Sequence, residues 1–116
     1  MTPRIGRALD GVTRVRGVQG AMLVSLDDGL VVADALMEGV RGSAMAALAA
    51  SLANRLSLAS SSSGTGAPQF LHLQADHGVL LAVPGPEVTL LVCVGGADVN
   101  IGLARLEMLR AVEKMG

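Results

Sequence analysis

Gln69-Phe70-Leu71-His72-Leu73-Gln74-Ala75, then Asp76-His77-Gly78, Val79-Leu80-Leu81-Ala82-Val83, Pro84-Gly85-Pro86-Glu87 and Val88-Thr89-Leu90-Leu91-Val92-Cys93-Val94 form one unbroken stretch. Three β-prone runs are separated there by two short clusters of turn residues. Strands joined by turns this tight must be antiparallel, because a parallel pair needs a crossover of a dozen or more residues. The second and third runs are apolar almost without interruption, so both of their faces are expected under cover. The first run alternates, with Phe70, His72 and Gln74 on one face and Leu71, Leu73 and Ala75 on the other. That pattern suits an edge strand, whose unpaired backbone is a liability unless something pairs with it.

Working outward, Ala21 to Leu26 and Leu30 to Ala35 flank Asp27-Asp28-Gly29, which reads as a β-hairpin. Before it, Ile5, Ala8, Leu9, Val12 and Val15 recur at three- and four-residue steps, one apolar stripe of a helix that ends by Gly17 and Gly20. Ser43 is placed to cap a long Ala-rich helix running to about Leu58. Ser60 to Pro68 is a flexible loop by composition. Gly95 and Gly96 break the last strand, and Asp98 or Asn100 can cap a final helix to Lys114. The expected architecture is a single α+β domain over residues 1–116: a five-stranded antiparallel sheet with helices on both faces, in the order α-β-β-α-β-β-β-α.

Composition removes several functions. The chain of 116 residues carries a formal net charge of −1, which argues against a dedicated nucleic-acid binder. With one Phe, no Trp and no Tyr, platforms for stacking bases or sugars are missing. One cysteine and two histidines supply metal chemistry poorly, so neither metal nor other cofactor is expected. No window approaches the about 18 apolar residues of a membrane span, and Met1 to Gly6 has no signal-peptide core, so no membrane insertion and a cytoplasmic location are expected.

The middle helix has too few charges. From Ser43 to Leu58 the only charged side chain is Arg55. On a helical wheel Met45, Leu48, Leu52 and Leu56 form the stripe expected on the sheet, and Ala47, Ala50, Ser51, Asn54 and Leu58 fall opposite. An uncharged outer face of small residues reads as a contact surface. Together with the edge strand it predicts a two-fold homodimer, with an interface of Ala47, Ala50, Ser51, Asn54, Phe70, His72 and Gln74.

Catalytic chemistry finds little support. His72, Asp76 and His77 form a polar cluster, but Asp76-His77-Gly78 is more simply a turn. Cys93 falls in a run expected to be a buried central strand, where a thiol is inert. Gly95-Gly96 precedes a helix as a phosphate cradle does, yet no Lys-Ser/Thr pair follows, and close helix-sheet packing explains the glycines. Arg105, at the edge of the last helix's apolar stripe, is expected to snorkel or to meet a carboxylate. Arg4, Arg7, Arg14 and Arg16 read as a solvated face. No catalytic residue is assigned.

Three segments carry a family pattern. Gly17-Val18-Gln19-Gly20-Ala21-Met22-Leu23-Val24-Ser25 followed by Asp28-Gly29-Leu30-Val31-Val32-Ala33 resembles the opening strand pair of the Roadblock family, especially its bacterial MglB-like branch. The Ala/Leu-rich middle helix resembles that family's second helix, and Asn100-Ile101-Gly102-Leu103-Ala104-Arg105-Leu106 its last-helix entry. The resemblance implies a non-enzymatic dimeric adaptor. Edge strands pair into a double-width sheet, second helices pack side by side, and their platform binds a small Ras-like GTPase, as an activating partner in the MglB-like branch. On this chain the platform would use Ala46, Ala50 and Ala53, with Asn54 and Ser57 as hydrogen-bonding points. The setting implied is prokaryotic polarity or signalling. A small-ligand sensor of PAS-like or profilin-like architecture, and a purely structural assembly subunit, are the other readings; a concave polar pocket would mark the first.

Overall fold

The computed structural model describes residues 3–116. Its elements are α1 (Pro3–Thr13), β1 (Val18–Ser25), β2 (Val31–Leu36), α2 (Gly42–Ser62), β3 (Leu71–Ala75), β4 (Gly78–Pro84), β5 (Thr89–Gly96) and α3 (Ile101–Met115). The five strands form one antiparallel sheet in the order β2-β1-β5-β4-β3. The fold class and the element order are those expected, and β3 is indeed an edge.

The two sheet faces carry different cores. On one, Leu9 and Val12 of α1 and Ala104, Met108 and Ala111 of α3 meet Ala21, Leu23, Leu81, Val83, Leu91 and Cys93. On the other, Ala46, Ala49, Ala50 and Ala53 of α2 meet Met22, Val24, Ala82, Leu90 and Val92. The apolar runs of β4 and β5 are thus covered on both sides, as a continuous run requires.

Local chemistry sets the element ends. Gly29, at φ 72, closes the β1–β2 turn, and Asp28 Oδ1 accepts from the Leu30 N–H at 3.0 Å. Asn100, not Asp98, caps α3: its Oδ1 accepts from the Leu103 N–H at 3.0 Å. β5 runs on through Gly95 and Gly96 instead of breaking there. The Gly96 N–H donates to the Gly17 carbonyl, and a Cβ on Gly95 would come within 2.9 Å of Val99, so the glycines serve close packing.

Two expectations about α2 fail. Ser43 is not its cap: α2 starts from Arg41 with no side-chain cap, and Ser43 lies within it. The loop expected from Ser60 begins three residues later, since α2 takes in Ser60 to Ser62, and residues 63–68 carry no helix or strand. Gly64, at φ 76, ends the helix, with the Gly64 N–H on the Ser61 carbonyl and the Thr65 N–H on the Ser60 carbonyl. This paired capping pattern satisfies terminal carbonyls that composition alone would leave to solvent. The hydroxyls of Ser63 and Thr65 donate to the Ser60 carbonyl as well.

Candidate interaction surface

The apolar groove beside α2 is the most distinctive surface. α2 packs over β1 and β2 and leaves a strip along β3 and β4 uncovered. The groove, about 280 Å³, is lined by Leu52 and Leu56 of α2 and by Leu71, Leu73 and Leu80 of the strands. Leu73 is 51% exposed. Exposed leucines this contiguous mark an interaction site.

The groove opens onto the free edge of β3. β3 pairs with β4 residue for residue and carries no charged side chain between Leu71 and Ala75. The opposite edge is blunted: its register shifts at Val32, and Asp34 is exposed on it. A bulge and a charge discourage strand addition, whereas a flat uncharged strand invites it.

The predicted interface and platform residues do not form one surface. Ala46, Ala50 and Ala53 are 0%, 3% and 7% exposed, packed on the sheet beneath α2, so they supply neither an outer platform nor a partner contact. Ala47 lies over Gly29 of the β1–β2 turn, and the Asn54 Nδ2 donates to the Leu26 carbonyl at 3.2 Å, in a small cleft that Leu71 also lines. Ser51 is exposed, and Ser57 stands at the rim of the same cleft with Pro68, Phe70 and Pro84. His72 and Gln74 are exposed on the α1/α3 side, Nε2 to Oε1 at 3.2 Å, with Phe70 half-buried next to them.

α2 is therefore rotated from its expected orientation. Alanine stripe and leucine stripe are both apolar, and helical period alone does not choose between them. The alanines win because their small volume lets the helix backbone approach the strands. A signal was present in the lone charge: Arg55 lies about two and a half turns from Ala46, hence on the opposite side of the helix. Leu52, Leu56, Leu73 and Leu80 are the surface residues this misplacement hid.

Other polar groups have local roles. Asp76 and His77 form the β3–β4 turn. Burial pushes the Cys93 thiol up to about 12 from its ordinary 9.0. Arg105 meets an aromatic ring, not a carboxylate: its guanidinium carbon sits 4.6 Å from the Phe70 ring centroid. Among the described residues, no group of three His, Cys, Asp or Glu side chains is placed to hold a metal, and no helix is long and apolar enough to cross a membrane.

Two uncharacterized proteins of Methanocaldococcus jannaschii are 34% and 32% identical over 111 residues, covering 96% of this chain and 92% and 96% of their own. Among solved structures, Myxococcus xanthus MglB superposes with a TM-score of 0.88 at 17% identity, covering 97% of this chain and 92% of that one. A Roadblock/LC7 domain from Streptomyces avermitilis gives 0.85 at 23% identity, covering 94% and 92%. The gliding protein MglB of Thermus thermophilus gives 0.86 at 23%, covering 97% and 85%. The Roadblock/LC7 domain model matches residues 4–95, four-fifths of the chain, and with relatives above 30% identity along nearly its whole length, the chain belongs to the Roadblock/LC7 family.

Proposed function

We propose that this chain is a homodimeric, non-enzymatic adaptor that binds and regulates a small Ras-like GTPase in prokaryotic polarity or signalling, in the cytoplasm. The observation that carries the dimer is the continuity between the leucine groove and the uncharged edge of β3. Pairing β3 with its mate about a two-fold axis normal to the sheet sets both α2 helices on one side of a ten-stranded sheet. The two bare leucine strips then face each other across the seam, and Leu52 and Leu56 of each copy close over them.

The GTPase follows from family membership and from the surface such pairing creates. The outward ridge of α2 presents Leu48, 72% exposed, with Ser51, Arg55 and Leu58. Side by side, two such ridges make a preformed platform of apolar and hydrogen-bonding groups on rigid helices. The MglB-like structural neighbours support the same reading, and one of them is described as a tetrameric arrangement of MglB. Any activation would work by repositioning the GTPase's own switch residues.

The test is to pass Ras-like GTPases of the source organism, loaded with GDP or a non-hydrolysable GTP analogue, over immobilised protein, with the solution mass read by light scattering. Nucleotide-dependent capture by a dimer is expected. A monomer at micromolar concentration, or equal binding of both nucleotide states, sinks the reading. The groove is open and, His72 apart, lined by leucines and alanines, which suits an apolar helix better than a polar metabolite.

A further inference from the structure

We infer that Arg105 is a positioning residue for the edge strand: by capping the Phe70 ring it straps the entry of β3 to α3, and thereby sets how readily that edge pairs with a second copy. The effect on pairing rests on the dimer proposed above; the strap itself does not.

β3 is weakly held. Its one strand neighbour is β4, and from His72 to Ala75 every residue is exposed. Ahead of it runs a stretch without regular structure from Gly64 to Phe70. What fixes the start of the strand is Phe70, the chain's one aromatic residue, whose half-buried ring packs on the α1/α3 core. Above that ring lies the Arg105 guanidinium, 4.6 Å from its centroid, and the His72 ring lies 6.4 Å away, tilted by 55°. A cation over an aromatic face is attracted by the ring's quadrupole and also shields it from water. Among the described residues no carboxylate forms an ion pair with Arg105; the ion pair of α3 joins Arg110 to Glu107. α3 thus grips the first residue before the edge strand, although its backbone lies over β4 and β5.

An edge strand can pair with another copy only while its own register is held. Freeing Phe70 should let β3 fray from its first residue, which costs the dimer ordering entropy at both edges.

The experiment measures amide exchange over residues 71–75, together with the dimer dissociation constant, for the whole chain and for Arg105→Ala, Arg105→Lys and Arg110→Ala. Exchange is read at dilutions below the dimer dissociation constant as well as above it. Arg105→Ala should speed exchange in β3 about three- to fivefold, with β5 unchanged, and weaken the dimer about tenfold, one strap being lost in each copy. Arg105→Lys keeps a cation over the ring and should restore much of both. Arg110→Ala, which removes an ion pair of the same helix, should change neither. Unchanged β3 exchange in Arg105→Ala overturns the strap, whatever the dimer does. Faster exchange with an unchanged dimer overturns the link to pairing. Faster β3 exchange in a chain that stays monomeric at high concentration supports the strap and overturns the dimer instead.

Discussion

Leu73 stands directly across from Leu80 in the β3–β4 ladder, and both belong to the sheet face that α2 leaves bare. The pair is the floor of the proposed dimer seam. Leu73 makes little of the monomer's core, so Leu73→Asp is expected to leave the fold intact and to weaken the dimer about a hundredfold, the cost of an unpaired charge in an apolar contact. Sedimentation over a concentration series, with circular dichroism as the check on folding, measures it. An unchanged dimer constant would place the interface elsewhere.

Ala50 and Ser51 are sequence neighbours on opposite sides of α2. Ala50→Arg forces a charge between helix and sheet, where Ala50 is buried, and is expected to cost 3 kcal/mol or so, a large share of the stability of a chain this size. Ser51→Arg, on the exposed ridge, should stay within about 0.5 kcal/mol. Thermal melts of the two variants decide between this orientation of α2 and the one the leucine stripe suggests.

That orientation is where sequence and structure part. The meander from Leu71 to Gly96 was legible because continuous apolar runs and tight turns each admit one reading, and the edge position of β3 followed from alternation. The faces of α2 were not legible in the same way, since Leu48, Leu52 and Leu56 satisfy a helical period as well as Ala46, Ala49 and Ala53 do. A period says which residues share a face; it does not say which of two apolar faces turns inward. The candidate site inherited that ambiguity: β3 was placed correctly and the platform alanines were not. The serines at 60–62 misled for another reason, because composition is blind to a C-terminal cap made by Gly64 and backbone donors.

Gly11 and Gly64 should respond oppositely to alanine. Gly11 is inside α1 with no atom within 4 Å of an added Cβ, so Gly11→Ala is expected to stabilise by about 0.5–1 kcal/mol. Gly64 has equal room but a φ of 76, so Gly64→Ala pays a left-handed backbone, about 1–2 kcal/mol. Denaturant midpoints of both variants test this. A neutral Gly64→Ala would mean that the end of α2 is not capped as described.

Cys93 makes stability fall at high pH. Its folded value near 12 lies above the unfolded 9.0, so between them the native state holds a proton that the unfolded state has lost. Stability is therefore whole below pH 9 and declines through the window up to about pH 12, by at most about 1.4 kcal/mol per unit. Cys93→Ala should flatten that slope relative to the parent chain. In the same range the folded thiol should resist alkylating reagents until the protein unfolds.

Arg55 tests what kind of regulator the proposed platform would make. It is the one charged side chain of α2 and lies on the exposed ridge, within reach of anything docked there. An arginine inserted into a GTPase site stabilises transition-state charge, and its loss costs 10³–10⁵ in rate. A platform that acts by selecting a switch conformation loses no such group when one arginine goes. Arg55→Ala is accordingly expected to leave GTP hydrolysis by the bound GTPase within about tenfold of the unsubstituted complex, measured by phosphate release at saturating platform, with dimer mass unchanged. Arg105→Ala, assayed above its weakened dimer constant, should behave likewise, because its guanidinium lies on the far side of the sheet from the platform. A thousandfold loss in Arg55→Ala, with binding and dimerisation intact, would make this chain the donor of a catalytic group.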